Sequence, residues 1–170
     1  MKKTIVLIGM PGSGKSTCGV LAAKALCKAF IDTDLLIQQR EGAALQDIIH
    51  QKGTAYFRAA EEACLCAVQE ENAVIATGGS AVYSAKAMEH LKEIGTVIYL
   101  KVSMEQMRAH IHNITTRGIV LGENESLEQM YRNREPLYEK YADVVIDCEA
   151  RGGEAVVEDI CNSNLAHFVR

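Results

Sequence analysis

Polar and apolar positions divide this chain into two kinds of segment that alternate. Short β-branched runs recur at Thr4-Ile5-Val6-Leu7-Ile8, Ala29-Phe30-Ile31-Asp32, Ala73-Val74-Ile75-Ala76-Thr77, 96–102 and Val144-Val145-Ile146-Asp147. Runs this short, with little polar alternation, suit strands buried on both faces, as in a parallel sheet. Between them lie segments of helical character. In 15–27 the residues Val20, Leu21, Ala22, Ala25 and Leu26 suit one face, and further helices are expected at 33–40, 44–51, 55–71, 84–93, 103–112, 126–140 and 152–164. Five strands separated by helices predict an α/β fold of three layers, α/β/α, around a five-stranded parallel sheet. No linker, repeat or low-complexity stretch interrupts the pattern, so 1–170 is expected to be a single domain. Sheets of this kind bind ligands beyond the carboxyl ends of their strands. Polar residues that follow strands are therefore the ones to examine.

The first strand runs directly into Gly9-Met10-Pro11-Gly12-Ser13-Gly14-Lys15-Ser16-Thr17. Strand, glycine loop and helix in that order is the setting in which G-x-x-x-x-G-K-[ST] forms a phosphate cradle. Gly12 and Gly14 let the backbone curl so that successive N–H groups turn toward phosphate oxygens. Lys15 brings a point charge to the β- and γ-phosphates, and Ser16 offers a hydroxyl to Mg²⁺. The helix N-terminus beneath adds a partial positive charge. Gly12, Ser13, Gly14, Lys15, Ser16 and Thr17 are thus the expected binding residues for a nucleoside triphosphate, ATP with Mg²⁺.

Composition narrows the class. The 170 residues are 48% hydrophobic and 24% charged, which is ordinary for a globular domain. A net charge of −4 with no basic run argues against nucleic acid as the partner. The six cysteines include no C-x-x-C pair. Their one close pair, Cys64-Leu65-Cys66, is read as small apolar packing rather than as metal ligands. No apolar run approaches the length of a membrane span, and Met1-Lys2-Lys3 ahead of the first strand leaves no room for a signal peptide. The expectation is a monomeric cytoplasmic protein with reduced thiols.

The second strand ends in Phe30-Ile31-Asp32-Thr33-Asp34. Residues i and i+2 of an extended chain point to the same side, so both carboxylates can face the phosphate loop. Asp32 beside Ser16 suits the metal, directly or through water. Asp34 suits an acceptor hydroxyl, which it would orient or deprotonate, and it is also placed to cap the next helix.

With those residues in view, the chain resembles the shikimate kinases. Besides the phosphate loop and Asp32-Thr33-Asp34, it carries Tyr56-Phe57-Arg58-Ala59-Ala60-Glu61, Ala76-Thr77-Gly78-Gly79 and Arg134-Glu135-Pro136-Leu137-Tyr138 in the family's order, so that the resemblance spans roughly 4–165. It implies a P-loop kinase fold, similar to the nucleoside monophosphate kinases. The implied activity is ATP-dependent phosphorylation of shikimate to 3-phosphoshikimate, in aromatic amino-acid precursor biosynthesis. The acceptor would bind to the segment 33–60. Arg58 and Arg134 would clamp its carboxylate, since a guanidinium matches a carboxylate bidentately. Asp34 would receive the ring hydroxyls and act as the base. Glu61, one helical turn after Arg58, would hold that side chain in place. Phe57 would wall the ring, and Gly78 and Gly79 would let backbone approach the substrate.

The polar stretch 113–125, with Arg117, Gly118 and Gly122, has the character of a lid that closes over ATP. Arg117 would then reach the transferring phosphoryl group, and Arg108 or His110 would lie along the adenine. Two departures from the family pattern stand out. Ser80 occupies the place of a third glycine, and the lid reads Arg117-Gly118-Ile119 where the family has Arg-Pro-Leu. These keep open a related kinase of another small hydroxy acid, such as gluconate. A nucleoside monophosphate kinase fits less well, because 33–60 offers one clear arginine after Arg40. A non-catalytic nucleotide-binding regulatory module is the remaining reading, against which stand the intact Lys15, Asp32, Asp34, Arg58 and Arg134.

Overall fold

The structure, a computed structural model, describes residues 3–111 and 118–165. Five parallel strands, β1 (Thr4–Ile8), β2 (Ala29–Asp32), β3 (Ala73–Ala76), β4 (Gly95–Lys101) and β5 (Val144–Asp147), lie in the order β2-β3-β1-β4-β5. The apolar runs are strands because both faces are covered: every residue of β1 and β3 is buried. The connection from β1 to β2 leaves in one direction and that from β3 to β4 in the other. Right-handed crossovers in opposite directions place their helices on opposite faces, which makes the three layers. Helix α1 (Lys15–Ala25) packs on α8 (Gly153–Leu165), while α4 (Thr54–Ala67) packs on α5 (Ala85–Ile94). The carboxyl ends of β1 and β3 border the crevice where the winding reverses.

The helices begin where side chains satisfy their first N–H groups. Asp32 Oδ1 accepts from Asp34 N at 3.0 Å to start α2 (Thr33–Glu41), so Asp32 is the cap and Asp34 is left unencumbered for other work. Ser84 and Ser103 cap α5 and α6 (Met104–His110). Ser126 and Gln129 form a capping box on α7 (Leu127–Tyr141), which runs on through Pro136.

Two expected helices are shorter than their apolar pattern suggested. Helix α1 stops at Ala25 because Cys27 turns left-handed, at φ +53°, and the Lys28 N–H reaches back to Ala23 O at 2.9 Å. Helix α4 stops at Ala67 because the backbone of 70–72 is engaged in the sheet. Glu70 O accepts from Thr4 Oγ1 at 2.7 Å and Asn72 O accepts from Ala29 N at 3.1 Å. A 3-10 turn, Ala81–Tyr83, was not foreseen between β3 and α5.

A second, smaller apolar cluster underlies the segment 33–60. It joins Ile37, Leu45, Ile48, Phe57 and Cys64 from α2, α3 (Leu45–Lys52) and α4, and Val120 inserts into it from the far side of the stretch expected to be a lid. The described part of that stretch, from Gly118 on, is therefore docked on the acceptor segment.

Candidate active site

The loop after β1 takes a shape that few side chains tolerate. Gly12 and Gly14 have φ of +75° and +90°, in the left-handed region, and Gly14 leads directly into α1. Lys15 is largely buried. Its Nζ donates to Gly9 O at 2.9 Å and Met10 O at 2.7 Å, which folds the ammonium group over its own loop. Ser16 Oγ donates to Asp32 Oδ2 at 2.7 Å, so the tips of α1 and β2 meet through a hydroxyl and a carboxylate.

A cavity of about 310 Å³ opens above these groups. Gly12, Gly14, Lys15, Ser16 and Thr17 line one side, and Asp34, Phe57, Gly78, Gly79, Ser80 and Arg134 the other. Gly118, Ile119 and Val120 close a further wall. Most of the residues expected from the motifs after β1, β2 and β3 thus share one chamber with Arg134 of α7; Ser13 and Asp32 stand behind its lining. Arg117 lies outside the described residues.

Carboxyl groups crowd the acceptor side. A Cβ on Gly78 would stand 2.8 Å from Asp34 Oδ1 and 2.7 Å from Glu61 Oε1, so only glycine lets both reach the backbone there. Burial and the neighbouring Asp32 charge push Asp34 up to about 6, against the pull of Lys15. Glu61 is 2% exposed, and burial pushes it up to about 7 although the Ser80 hydroxyl and two arginines favour its charge. Its Oε2 accepts from Ser80 Oγ at 2.6 Å; its Oε1 has no hydrogen-bond partner among the described residues. Ser80, the departure from the family's third glycine, is thus a partner of Glu61.

The raised Glu61 carboxyl has a consequence for stability. A carboxyl whose folded-state value lies above its unfolded one of 4.5 contributes stability that is full below about 4.5 and lost as pH rises through about 7. Wild-type melting temperature should fall between about pH 4.5 and 7 relative to Glu61→Gln, by the equivalent of at most about 3 kcal/mol. Parallel melting curves of the two proteins across that window would remove this reading.

The two arginines expected to act together are placed differently. Arg134 is 1% exposed; its Nη1 lies beside Gly79, its Nη2 donates to Val120 O, and its Nε donates to the Tyr83 hydroxyl at 3.3 Å. Tyr138, one turn on, donates from its hydroxyl to Gly79 O at 2.6 Å and so fixes the Gly78-Gly79 turn against α7. Arg58 is exposed and lines an adjoining cleft of about 260 Å³ with Glu61, Ser80 and Tyr83. Its guanidinium lies 4.4 Å from the Tyr83 ring centroid. The expected contact of Glu61 with Arg58 is not formed within ion-pair distance; Glu61 is taken by Ser80 and Arg58 by Tyr83.

Other expectations sort simply. His110 Nδ1 lies 3.1 Å from Gly12 O, against the phosphate loop, whereas Arg108 is paired with Glu128. His90 Nε2 sits 2.7 Å from Val68 O. Among the described residues no His, Cys, Asp and Glu cluster suits a metal, and no helix is long and apolar enough to cross a membrane. Tyr83 was missed; a tyrosine at the end of a short turn carries no motif to announce it.

The shikimate kinase family matches residues 11–164. The shikimate kinase of Methylococcus capsulatus is 36% identical over 165 residues, covering 95% of this chain and 92% of the relative. The structure of shikimate kinase from Acinetobacter baumannii in complex with shikimate superposes with a TM-score of 0.89 at 28% identity, over 99% of this chain and 96% of that one. A gluconokinase from Sinorhizobium meliloti, at a TM-score of 0.54 and 20% identity over 98% and 93% of the two chains, shares the fold alone. Matched by that family's model over residues 11–164 and by relatives along nearly all its length, the chain belongs to the shikimate kinase family.

Proposed function

We propose that this chain transfers the γ-phosphoryl group of ATP to the 3-hydroxyl of shikimate. The observation that carries the proposal is the single chamber in which Lys15 and the phosphate loop face Asp34 and Arg134. Phosphoryl transfer needs little more than positioning and charge neutralisation, and both halves are present. Gly12, Ser13, Gly14, Lys15, Ser16 and Thr17 hold the nucleotide phosphates, with the Lys15 ammonium at the β- and γ-oxygens. Arg117 is assigned to the transferring group.

Ser16 Oγ and Asp32 Oδ2 form a pair of hard oxygen donors beside the loop, which suits Mg²⁺ with phosphate and water as its remaining ligands. Bound there, the ion would neutralise charge on the β- and γ-phosphates. Asp34 accepts the proton of the acceptor hydroxyl as that oxygen bonds to the γ-phosphorus; the bond to the β-phosphate oxygen breaks and ADP leaves. A carboxylate pushed up to about 6 is better matched to this task near neutral pH than an ordinary aspartate. Phe57, Gly78 and Gly79 shape the wall around the ring. Glu61, held by Ser80, supports that wall beside Asp34. The reading is of a monomeric cytoplasmic enzyme of one domain.

Arg58 and Arg134 are assigned to the substrate carboxylate. That contact is similar in ground and transition states, so its loss appears in KM. Arg58→Ala should raise the KM for shikimate about tenfold or more, with kcat nearly unchanged. Steady-state kinetics in shikimate check this, and an unchanged KM removes Arg58 from the clamp. The reaction itself is tested by offering shikimate, gluconate and a nucleoside monophosphate together with limiting Mg-ATP. NMR of the products should show one new species, shikimate phosphorylated at the 3-hydroxyl. Phosphogluconate or a nucleoside diphosphate as the main product would overturn the proposal.

A further inference from the structure

Two guanidinium groups that must converge on one carboxylate repel each other until it arrives. The usual remedy is an acidic neighbour, but an acid that neutralised them would also compete with the substrate. In this chain neither Arg58 nor Arg134 forms an ion pair among the described residues, although Glu61 and Glu125 lie near enough for both arginines to favour their charged forms. The nearby carboxyl of Glu61 is occupied by Ser80 Oγ, and burial favours its neutral form. What both arginines do touch is one aromatic ring. Arg58 Cζ lies 4.4 Å and Arg134 Cζ 5.2 Å from the centroid of Tyr83, and the Tyr83 hydroxyl accepts from Arg134 Nε at 3.3 Å.

We propose that Tyr83 is the positioning residue of the acceptor carboxylate site: its ring is the shared platform on which Arg58 and Arg134 are aligned, and its hydroxyl sets the direction of Arg134. The inference rests on the reading of those two arginines as the carboxylate clamp. An aromatic face attracts a cation without cancelling its charge, so both guanidinium groups keep their full attraction for the substrate. The platform is itself rigid. Ala81 and Val82 are buried in the core, and the 3-10 turn is closed by Tyr83 N to Ser80 O and Ser84 N to Ala81 O, each at 3.1 Å. This turn follows Gly78-Gly79-Ser80 directly, so the strand end that approaches the substrate also fixes the platform. Tyr83 lines the same cleft as Arg58, and Ser80 lines both that cleft and the main chamber, so the platform stands at their junction.

The test is kinetic, with Tyr83→Leu, Tyr83→Phe, Arg58→Ala and the Arg58→Ala/Tyr83→Leu double variant. Tyr83→Leu should raise the KM for shikimate about tenfold, while kcat and the KM for ATP stay within about twofold. Tyr83→Phe keeps the ring and loses only the hydroxyl, so it should recover most of that loss. In the Arg58→Ala background, Tyr83→Leu should raise KM by a smaller factor than in the wild type, because one of the two groups it aligns is gone. An unchanged shikimate KM in Tyr83→Leu, beside a raised one in Arg58→Ala, would overturn the inference and leave the clamp standing. An unchanged KM in Arg58→Ala would overturn the clamp and the inference together. Equal losses toward shikimate and ATP would make Tyr83 a merely structural residue and overturn the inference.

Discussion

Lys15→Ala lowers kcat by about a thousandfold or more. The reason lies in how the side chain is held. Lys15 is 8% exposed, with its ammonium over the carbonyls of Gly9 and Met10. A charge kept there is largely shielded from water, so its attraction for phosphate is weakly screened. Alanine leaves the loop amides and the α1 N-terminus to act alone. Lys15→Arg should not restore the rate, because a planar fork cannot take the place of a compact ammonium within so tight a loop. Coupled ADP release measures the effect, and near-normal turnover in Lys15→Ala would overturn the mechanism as a whole.

Asp34→Asn should cost about a hundred- to ten-thousandfold in kcat, the range of a positioned general base. It is also the residue that sets the acid side of the pH profile. The carboxylate is the active form and burial has pushed it up to about 6, so activity is lost as pH falls through about 6. At saturating ATP, kcat/KM for shikimate should decline about tenfold per pH unit below that point. An ordinary exposed aspartate would hold its activity about two units lower. A profile flat down to pH 5 would show that Asp34 accepts no proton in the rate-determining step.

The parts of this account that were legible in the sequence are those encoded by local neighbours. The phosphate loop follows its strand without a break, and Asp32 and Asp34 sit two residues apart at the next strand end. Such features need only a glycine run or the period of a strand to be seen, and the five strands fall where the β-branched runs stand. Helix ends were less legible, because they depend on distant partners. The end of α4 is set by Thr4 and Ala29, to which residues 70 and 72 are bonded across the sheet.

The acceptor side shows the same limit more sharply. Arg58 and Glu61 are one turn apart and looked like partners, yet each is taken by the β3–α5 connection, Arg58 by Tyr83 and Glu61 by Ser80. Arg134 meets Tyr83 across 51 positions of chain. Ser80 looked from the sequence like a disturbance of the substrate wall; in three dimensions it holds the buried Glu61. The docking of Val120 beneath the acceptor segment was hidden as well, since a single valine in a polar stretch gives no period to read.

The most direct test of the account is the rate of ADP release from Mg-ATP with and without shikimate, using the wild-type chain. Turnover of about 1–100 s⁻¹ that appears only when shikimate is added is the predicted result. ATP binding without shikimate-dependent turnover would contradict it, and the intact phosphate loop would then belong to a nucleotide-binding module rather than to a kinase of this acceptor.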